Sequence, residues 1–566
     1  MTKCKKILSF AMAAAMGLML CSCGRGEISS GTAGADTAGQ PAEGTGELAD
    51  KLETEAGLTK EGGEEKIVTI AYDQTWNSLN PYASTGVIGD TVCNQIFDNL
   101  VAGGMSGTMY PRLAESWEVA EDNSSIIFHL NPDAKWHDGE PVTADDVVFT
   151  CKLVTKADIV TSRRQLMQNV AGTDDSGVEL SADSVEVEKV DDLTVKMNMK
   201  RPMSDFMFLK QAAFFFVLPE HLLNDLTPAN FMEADFWNEP VGNGAFIFES
   251  TIPGERVVYK ANPNYYMGKI NFDKLVIRNV ASANLLASLM SGEIDLVPGA
   301  RVSFPIADIS MAEEQDNLVV ESIQSPGQVW IIPDNEKFDV DTRRAFDMAI
   351  NREEMVKELL GGRGTVREGM YASNNKYYDP KIGEVSLSNQ YDPEKAKQLL
   401  EENNFDFSQE LLILYVTGDT LREQTATMFQ RDMSNIGVTV NVQSVDLSTM
   451  MQMMRDKEAD FAIMKTSSDG ANPLENQDFF ILDGVYNLAH VTDPTGQELF
   501  NKVMSSLTDE DAMKYTSELQ LWQAENDCYY FLYAPDITVI YNKRLSNMNT
   551  KDMSQSVFDF WNWTVE

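Results

Sequence analysis

Apolar and polar residues alternate with a period of two in KIVTIAY, residues 66–72, the spacing of a half-buried strand. The same spacing predicts strands at 125–130 and 194–199. Around 143 the pattern changes. Thr143 stands where an N-cap belongs, Asp146 is the acid three residues on, and an apolar run follows, so a helix is expected to open there. Residues 284–290 take helical spacing and stop at Gly292, with a strand expected at 294–297. In the second half, 341–350 reads as an amphipathic helix, and Asn351 caps another that ends at Gly361-Gly362. Asp392-Pro393 provides an N-cap and a first-turn proline for a helix through 402. Then come strand 411–417, helix 421–436 closed by Gly437, strand 438–445, helix 447–457 and strand 460–464. That alternation predicts βαβ units on a mainly parallel sheet, an α/β fold class. A late helix is expected at 508–525, and the β-branched, aromatic run 529–541 returns as strand.

The N-terminus is patterned for export. Lys3, Lys5 and Lys6 precede an uncharged run, ILSFAMAAAMGLML, too short to span a bilayer and suited to a signal h-region. Leu20-Cys21-Ser22-Cys23 follows and resembles a bacterial lipobox, which implies cleavage after Ser22 and lipidation of Cys23. Residues 24–65 hold no aromatic residue and are rich in Gly, Ala, Thr and Glu, a composition that cannot bury enough apolar surface to order itself. As a tether of some forty residues it would reach about 35 Å.

Composition then narrows the function. With 87 acidic against 45 basic residues the formal charge is −42, which argues against nucleic acid and against adhesion to anionic lipid through a basic face. The four histidines, His129, His137, His221 and His490, are dispersed, and the cysteine spacings fit no zinc pattern, so neither a metal nor another cofactor is expected. There is no Gly-x-Ser-x-Gly elbow, no His-Glu-x-x-His and no Walker A loop. Asp145 and Asp146 read as helix-start charges. Met450, Met451, Met453 and Met454 read as core packing rather than soft-metal ligands. His137, in Trp-His-Asp-Gly, reads as a turn residue. No enzyme is expected.

From residue 110 a family pattern emerges. PRLAESWEVAEDNSSIIFHL and KWHDGEPVTADDVVFTCKLV resemble the family 5 extracellular solute-binding proteins, the peptide, oligopeptide and nickel receptors of ABC importers. LNP at 79–81, PVGNGAF at 240–246, NPNYYMGK at 262–269, LMSGEIDL at 289–296, TRRAFDMAINREEMV at 342–356 and YDPEKAKQLLEE at 391–402 continue the series in order. The resemblance implies a two-lobed periplasmic-binding-protein-like clamp of type II, with an additional subdomain in the first lobe. It divides the chain into a signal peptide 1–22, a tether 23–65, a first lobe 66–325, a second lobe 326–526 and a segment 527–566 that returns to the first lobe. Strands would cross between lobes near 322–332 and 529–535.

The resemblance also carries site residues. In the dipeptide and oligopeptide receptors an aspartate after a second-lobe strand pairs with the ligand's α-ammonium group. DFAIMKTSSDGANPLENQDFF aligns Asp469 with it and Asn472-Pro473 with the following Asp-Pro, although the Gly-Trp usual before it is replaced here by residues 465–468. As a turn former before glycine, Asp469 also has a purely structural reading. Dipeptide receptors place a carboxylate-holding arginine after the strand matching 411–417. Here YVTGDT has none, and Arg422 is the nearest candidate, also readable as a surface helix residue. Strict dipeptide selectivity is therefore not expected, and longer peptides fit better. The implied partners are a peptide or other small solute and ABC permease subunits, with a monomer held by its lipid at the outer face of the cytoplasmic membrane. The same fold with an oligosaccharide or metal chelate, or a sensor or chaperone role without transport, stays open; a secreted hydrolase has only the abundant carboxylates in its favour.

Overall fold

A computed structural model describes residues 65–566 apart from 85, 105–106, 300–301, 303, 467–481, 483, 485 and 553–557. The signal segment and the tether up to residue 64 lie outside the described residues.

Seven strands form the sheet of the first lobe, in the order Leu318–Ile323, Ile537–Asn542, Leu296–Val297, Ile67–Tyr72, Lys274–Asn279, Arg256–Ala261 and Phe246–Ile252. Ile67–Tyr72 is central and runs parallel to Lys274–Asn279 and to Leu296–Val297. Its last three residues are all buried, as a strand covered on both faces requires. The additional subdomain holds a four-stranded antiparallel sheet, ordered Ala114–Val119, Ser125–Leu130, Thr194–Asn198, Val187–Asp191. The helix Ala144–Val154 opens with the expected capping box. Asp146 Oδ2 accepts from the Thr143 N–H at 2.8 Å, and its Oδ1 accepts from the Glu220 N–H at 2.9 Å, so this acid ties two helix starts together.

PVGNGAF clasps the end of the helix Gly86–Ile96. The N–H groups of Asn243 and Gly244 both donate to the Ile96 carbonyl, at 3.0 and 2.8 Å, and Asn243 Oδ1 accepts from the Asp98 N–H at 2.7 Å. A Cβ on Gly242 would stand 1.9 Å from the Ile96 oxygen, so only glycine fits that approach. The clasp also holds His137. Its Nδ1 accepts from the Gly242 N–H at 3.2 Å and its Nε2 lies 3.1 Å from the Gly244 carbonyl, which fixes the neutral Nε2–H tautomer.

The second lobe has six strands, in the order Gly364–Val366, Tyr530–Pro535, Gln328–Pro333, Phe461–Thr466, Glu410–Val416, Thr439–Val445. This sheet is mixed rather than mainly parallel. Only Phe461–Thr466, Glu410–Val416 and Thr439–Val445 run parallel, because the strands beside them are crossing strands that enter antiparallel. The run 529–541 is also not one strand. It breaks at Pro535-Asp536, and Tyr530–Pro535 pairs in this sheet while Ile537–Asn542 pairs in the other. Pairing in the first sheet therefore resumes after Pro535. Two buried arginines from TRRAFDMAINREEMV hold this arrangement. Arg343 donates to the carbonyls of Phe338, Asn526 and Asp527, and Arg352 donates to the Phe531 carbonyl at 2.6 Å while pairing with Asp347. Cys93, Cys151 and Cys528 are buried free thiols.

Burial holds the His137 imidazole down to a pKa of about 4, against about 6.5 when exposed. The unfolded chain therefore binds more protons between those values, and stability should fall as pH drops through that window, by up to roughly 3 kcal/mol. Denaturant unfolding of wild type and His137→Gln from pH 7 to pH 4 isolates the effect as a difference in slope. The variant should be less stable at pH 7 yet lose less on acidification; equal slopes would count against a buried neutral imidazole.

Candidate functional site

Open α/β sheets bind ligands beyond the carboxyl ends of their parallel strands. In the second lobe those ends are Val416, Val445 and Thr466. After Val416 the chain turns through Thr417 and Gly418, with φ +85° at the glycine, and the Thr417 N–H donates to the Val445 carbonyl at 2.9 Å. Asp419 then caps the helix Thr420–Asn435, its Oδ1 accepting from the Arg422 N–H at 3.1 Å. Its other oxygen lies 3.3 Å from Arg422 Nε.

Arg422 is therefore not a surface residue. Its side chain is 12% exposed, and burial lowers its pKa against the opposing pull of Asp419. One turn further on, Thr425 Oγ1 and the Tyr533 hydroxyl share a hydrogen bond of 2.6 Å. Tyr533 belongs to the strand Tyr530–Pro535, so the turn that carries Arg422 is tied to a strand that crosses between the lobes.

A second arginine stands at the crossings themselves. Arg367 is 2% exposed, and its Nη2 donates to the carbonyls of Ser325 and Gly327, the latter at 3.0 Å. Its backbone N–H donates to Leu532 at 3.1 Å. Burial lowers its pKa to about 10, opposed by Asp536, so it remains a cation. One residue thus grips the first crossing through its side chain and the second through its backbone. Sequence reading missed it, because GTVREG carries no periodicity that marks an arginine as buried.

Asp469 and Asn472 lie outside the described residues, as does Cys23. The strand leading toward Asp469 ends at Thr466, opposite Gln328, the first residue of the strand that enters from the other lobe. Among the described residues, no group of three or more His, Cys, Asp or Glu could hold a metal ion. Met450 and Met454 are buried in the second-lobe core, with Met451 and Met453 packed against it. Among the described residues, no helix is long and apolar enough to cross a membrane.

A family model described as bacterial extracellular solute-binding proteins, family 5 Middle, matches residues 108–485. The chain is 25% identical over 507 residues to the oligopeptide-binding protein AppA of Bacillus subtilis, covering 85% of this chain and 88% of that one. It is 26% identical over 431 residues to the dipeptide-binding protein of Escherichia coli, covering 72% and 77%. The solved ABC transporter substrate-binding protein CtaP of Listeria monocytogenes superposes with a TM-score of 0.74 at 23% identity, over 89% of this chain and 100% of that one. At that identity the superposition speaks for the fold, a two-lobed clamp.

Asp419 serves as both cap and counter-charge, and the two roles separate by mutation. Asp419→Asn keeps the capping oxygen and should cost little beyond the lost charge. Asp419→Ala should cost about 1 kcal/mol for the cap, and more for leaving Arg422 unpaired. In an Arg422→Met background the same alanine should cost only the cap. Urea unfolding of wild type and these four variants tests this; additive losses would mean that the pair is not coupled.

Proposed function

The chain belongs to the bacterial extracellular solute-binding proteins of family 5, and from that premise we propose that it captures oligopeptides at the cell surface for an ABC importer. The family's proteins bind substrates for transport and are not enzymes. One observation carries the peptide reading furthest: the largely buried Arg422 beyond the carboxyl end of Glu410–Val416, the strand whose arginine holds a ligand carboxylate in the family's dipeptide receptors. Among the described residues Asp419 is its only ion-pair partner, so Arg422 keeps donors for an incoming anion such as a peptide C-terminus. Asp469 is proposed as the partner of the peptide α-ammonium, and Asn472 as a further ligand-binding residue. A carboxylate and an ammonium desolvated together form a strong charge-assisted contact, and either alone is costly. Because no arginine directly follows the strand, the clamp is read as accepting peptides longer than two residues. Cys23 is proposed as the lipidated residue that keeps the body at the outer face of the membrane, beside its permease.

Ligand binding stabilises a clamp by RT ln(1 + [L]/Kd), about 2.7 kcal/mol at a hundredfold excess over Kd. A thermal-shift screen of peptide pools should therefore raise Tm. No shift with peptides but a clear shift with sugars or metal chelates would replace the peptide reading. N-acetylated peptides should bind roughly two to three decades more weakly than free ones, and Asp469→Asn should lose as much, without additivity. Equal affinity for acetylated and free peptides would remove Asp469 from the site. Cys23→Ser should release the protein into the medium; wild type found there without lipid would refute the anchor.

A further inference from the structure

Besides the two crossings, the lobes meet through side chains. Helix Asp205–Ala212 belongs to the first lobe and buries Phe208, Leu209 and Ala212 in that lobe's core. Phe206, on the same helix, does not join that core. Yet it is only 4% exposed, because its ring sits among residues of the second lobe. The Phe206 and Tyr377 rings meet edge to face, with centroids 5.6 Å apart at 67°. Lys376 Nζ stands 3.7 Å from the Phe206 ring centroid and is held there by Asp509 Oδ2 at 3.2 Å. A second tie has acceptors close in sequence to Phe206 and to Asp509. Asn123, in a left-handed turn at φ 55°, donates from Nδ2 to Leu507 of the second lobe and to Met203 of the first, both at 3.0 Å.

A large apolar side chain that stays out of its own lobe's core is a liability in a monomer unless it has a seat. Here the seat is built from an aromatic edge and a cation, the two groups that a ring's charge distribution favours. It lies on the other lobe of a clamp whose lobes must part to admit a ligand. We propose that Phe206 is a latch. Its seat on Tyr377 and Lys376 sets how closely the lobes rest together without ligand, and the contact is lost each time the clamp opens. Phe206 is thus a positioning residue for capture, acting through lobe separation and not through the ligand.

The ligand-free full-length protein tests this without knowledge of the ligand. Small-angle scattering reads lobe separation as the radius of gyration, and hydrogen exchange over 371–378 reads exposure of the seat. Phe206→Ala should raise the radius of gyration and speed exchange there by about tenfold or more, the equilibrium shift expected from unseating one phenyl ring. Phe206→Leu should fall between the two. Lys376→Met, at a partly exposed position that does not threaten folding, should move both readouts the same way by less. Faster exchange at an unchanged radius of gyration would make Phe206 a local packing residue and overturn the proposal. So would the absence of change in both Phe206→Ala and Lys376→Met.

Discussion

The chain passes between its two sheets twice, and the two passages lie side by side. Leu318–Ile323 pairs antiparallel with Ile537–Asn542 in the first lobe. The continuation of each, Gln328–Pro333 and Tyr530–Pro535, pairs antiparallel in the second. One two-stranded ribbon therefore runs through both sheets, interrupted only by residues 324–327 and by Asp536 where it leaves one and enters the other. A ladder of this kind resists shear along its strands while still bending where the hydrogen bonds lapse. A rotation of the lobes would need to bend only those few residues, the usual economy of a hinge. The register shift between Val329 and Trp330 lies just inside the second lobe, where a bulge locally re-aims the strand.

Buried arginines tie down the chain around this ribbon. Arg343, Arg352 and Arg367 each donate to main-chain carbonyls across a wide gap in sequence. A guanidinium suits this work because its donors are fixed in a plane and its charge is delocalised. Lysine could satisfy neither the number nor the spread of acceptors. The TRRAFDMAINREEMV motif is thereby explained by architecture: its arginines hold the strand and helix ends of the second lobe, not a ligand.

Much of the local structure was legible in the sequence, because caps and periodicities act over a few residues. The capping box at Thr143, the glycine stops at Gly292 and Gly361, and the helix from Pro393 all stand where their residues indicate. Long-range pairing was not legible. Periodicity in 529–541 does not reveal that Pro535 separates two sheets, although the family resemblance places a crossing near 529–535, and alternating strands and helices do not disclose antiparallel strands inserted from elsewhere in the chain. Arg367 and Phe206 show the same limit from the side-chain end. An arginine in a glycine-rich stretch and a phenylalanine near a helix start look ordinary until the fold puts a second lobe beside them. The family motifs supplied what periodicity could not, a two-lobed clamp.

Strand Ile537–Asn542 lies between Leu318–Ile323 and Leu296–Val297, and it is the last strand of either large sheet to leave the ribosome. The lobe that begins first is consequently finished last. Until those six residues emerge, the first sheet is split, with one strand edge waiting on each side of the gap. Such edges are templates for pairing with other chains. A nascent or truncated chain ending short of residue 537 would combine a nearly complete second lobe with an open first one. The first sheet can therefore assemble fully only once the whole chain is at hand.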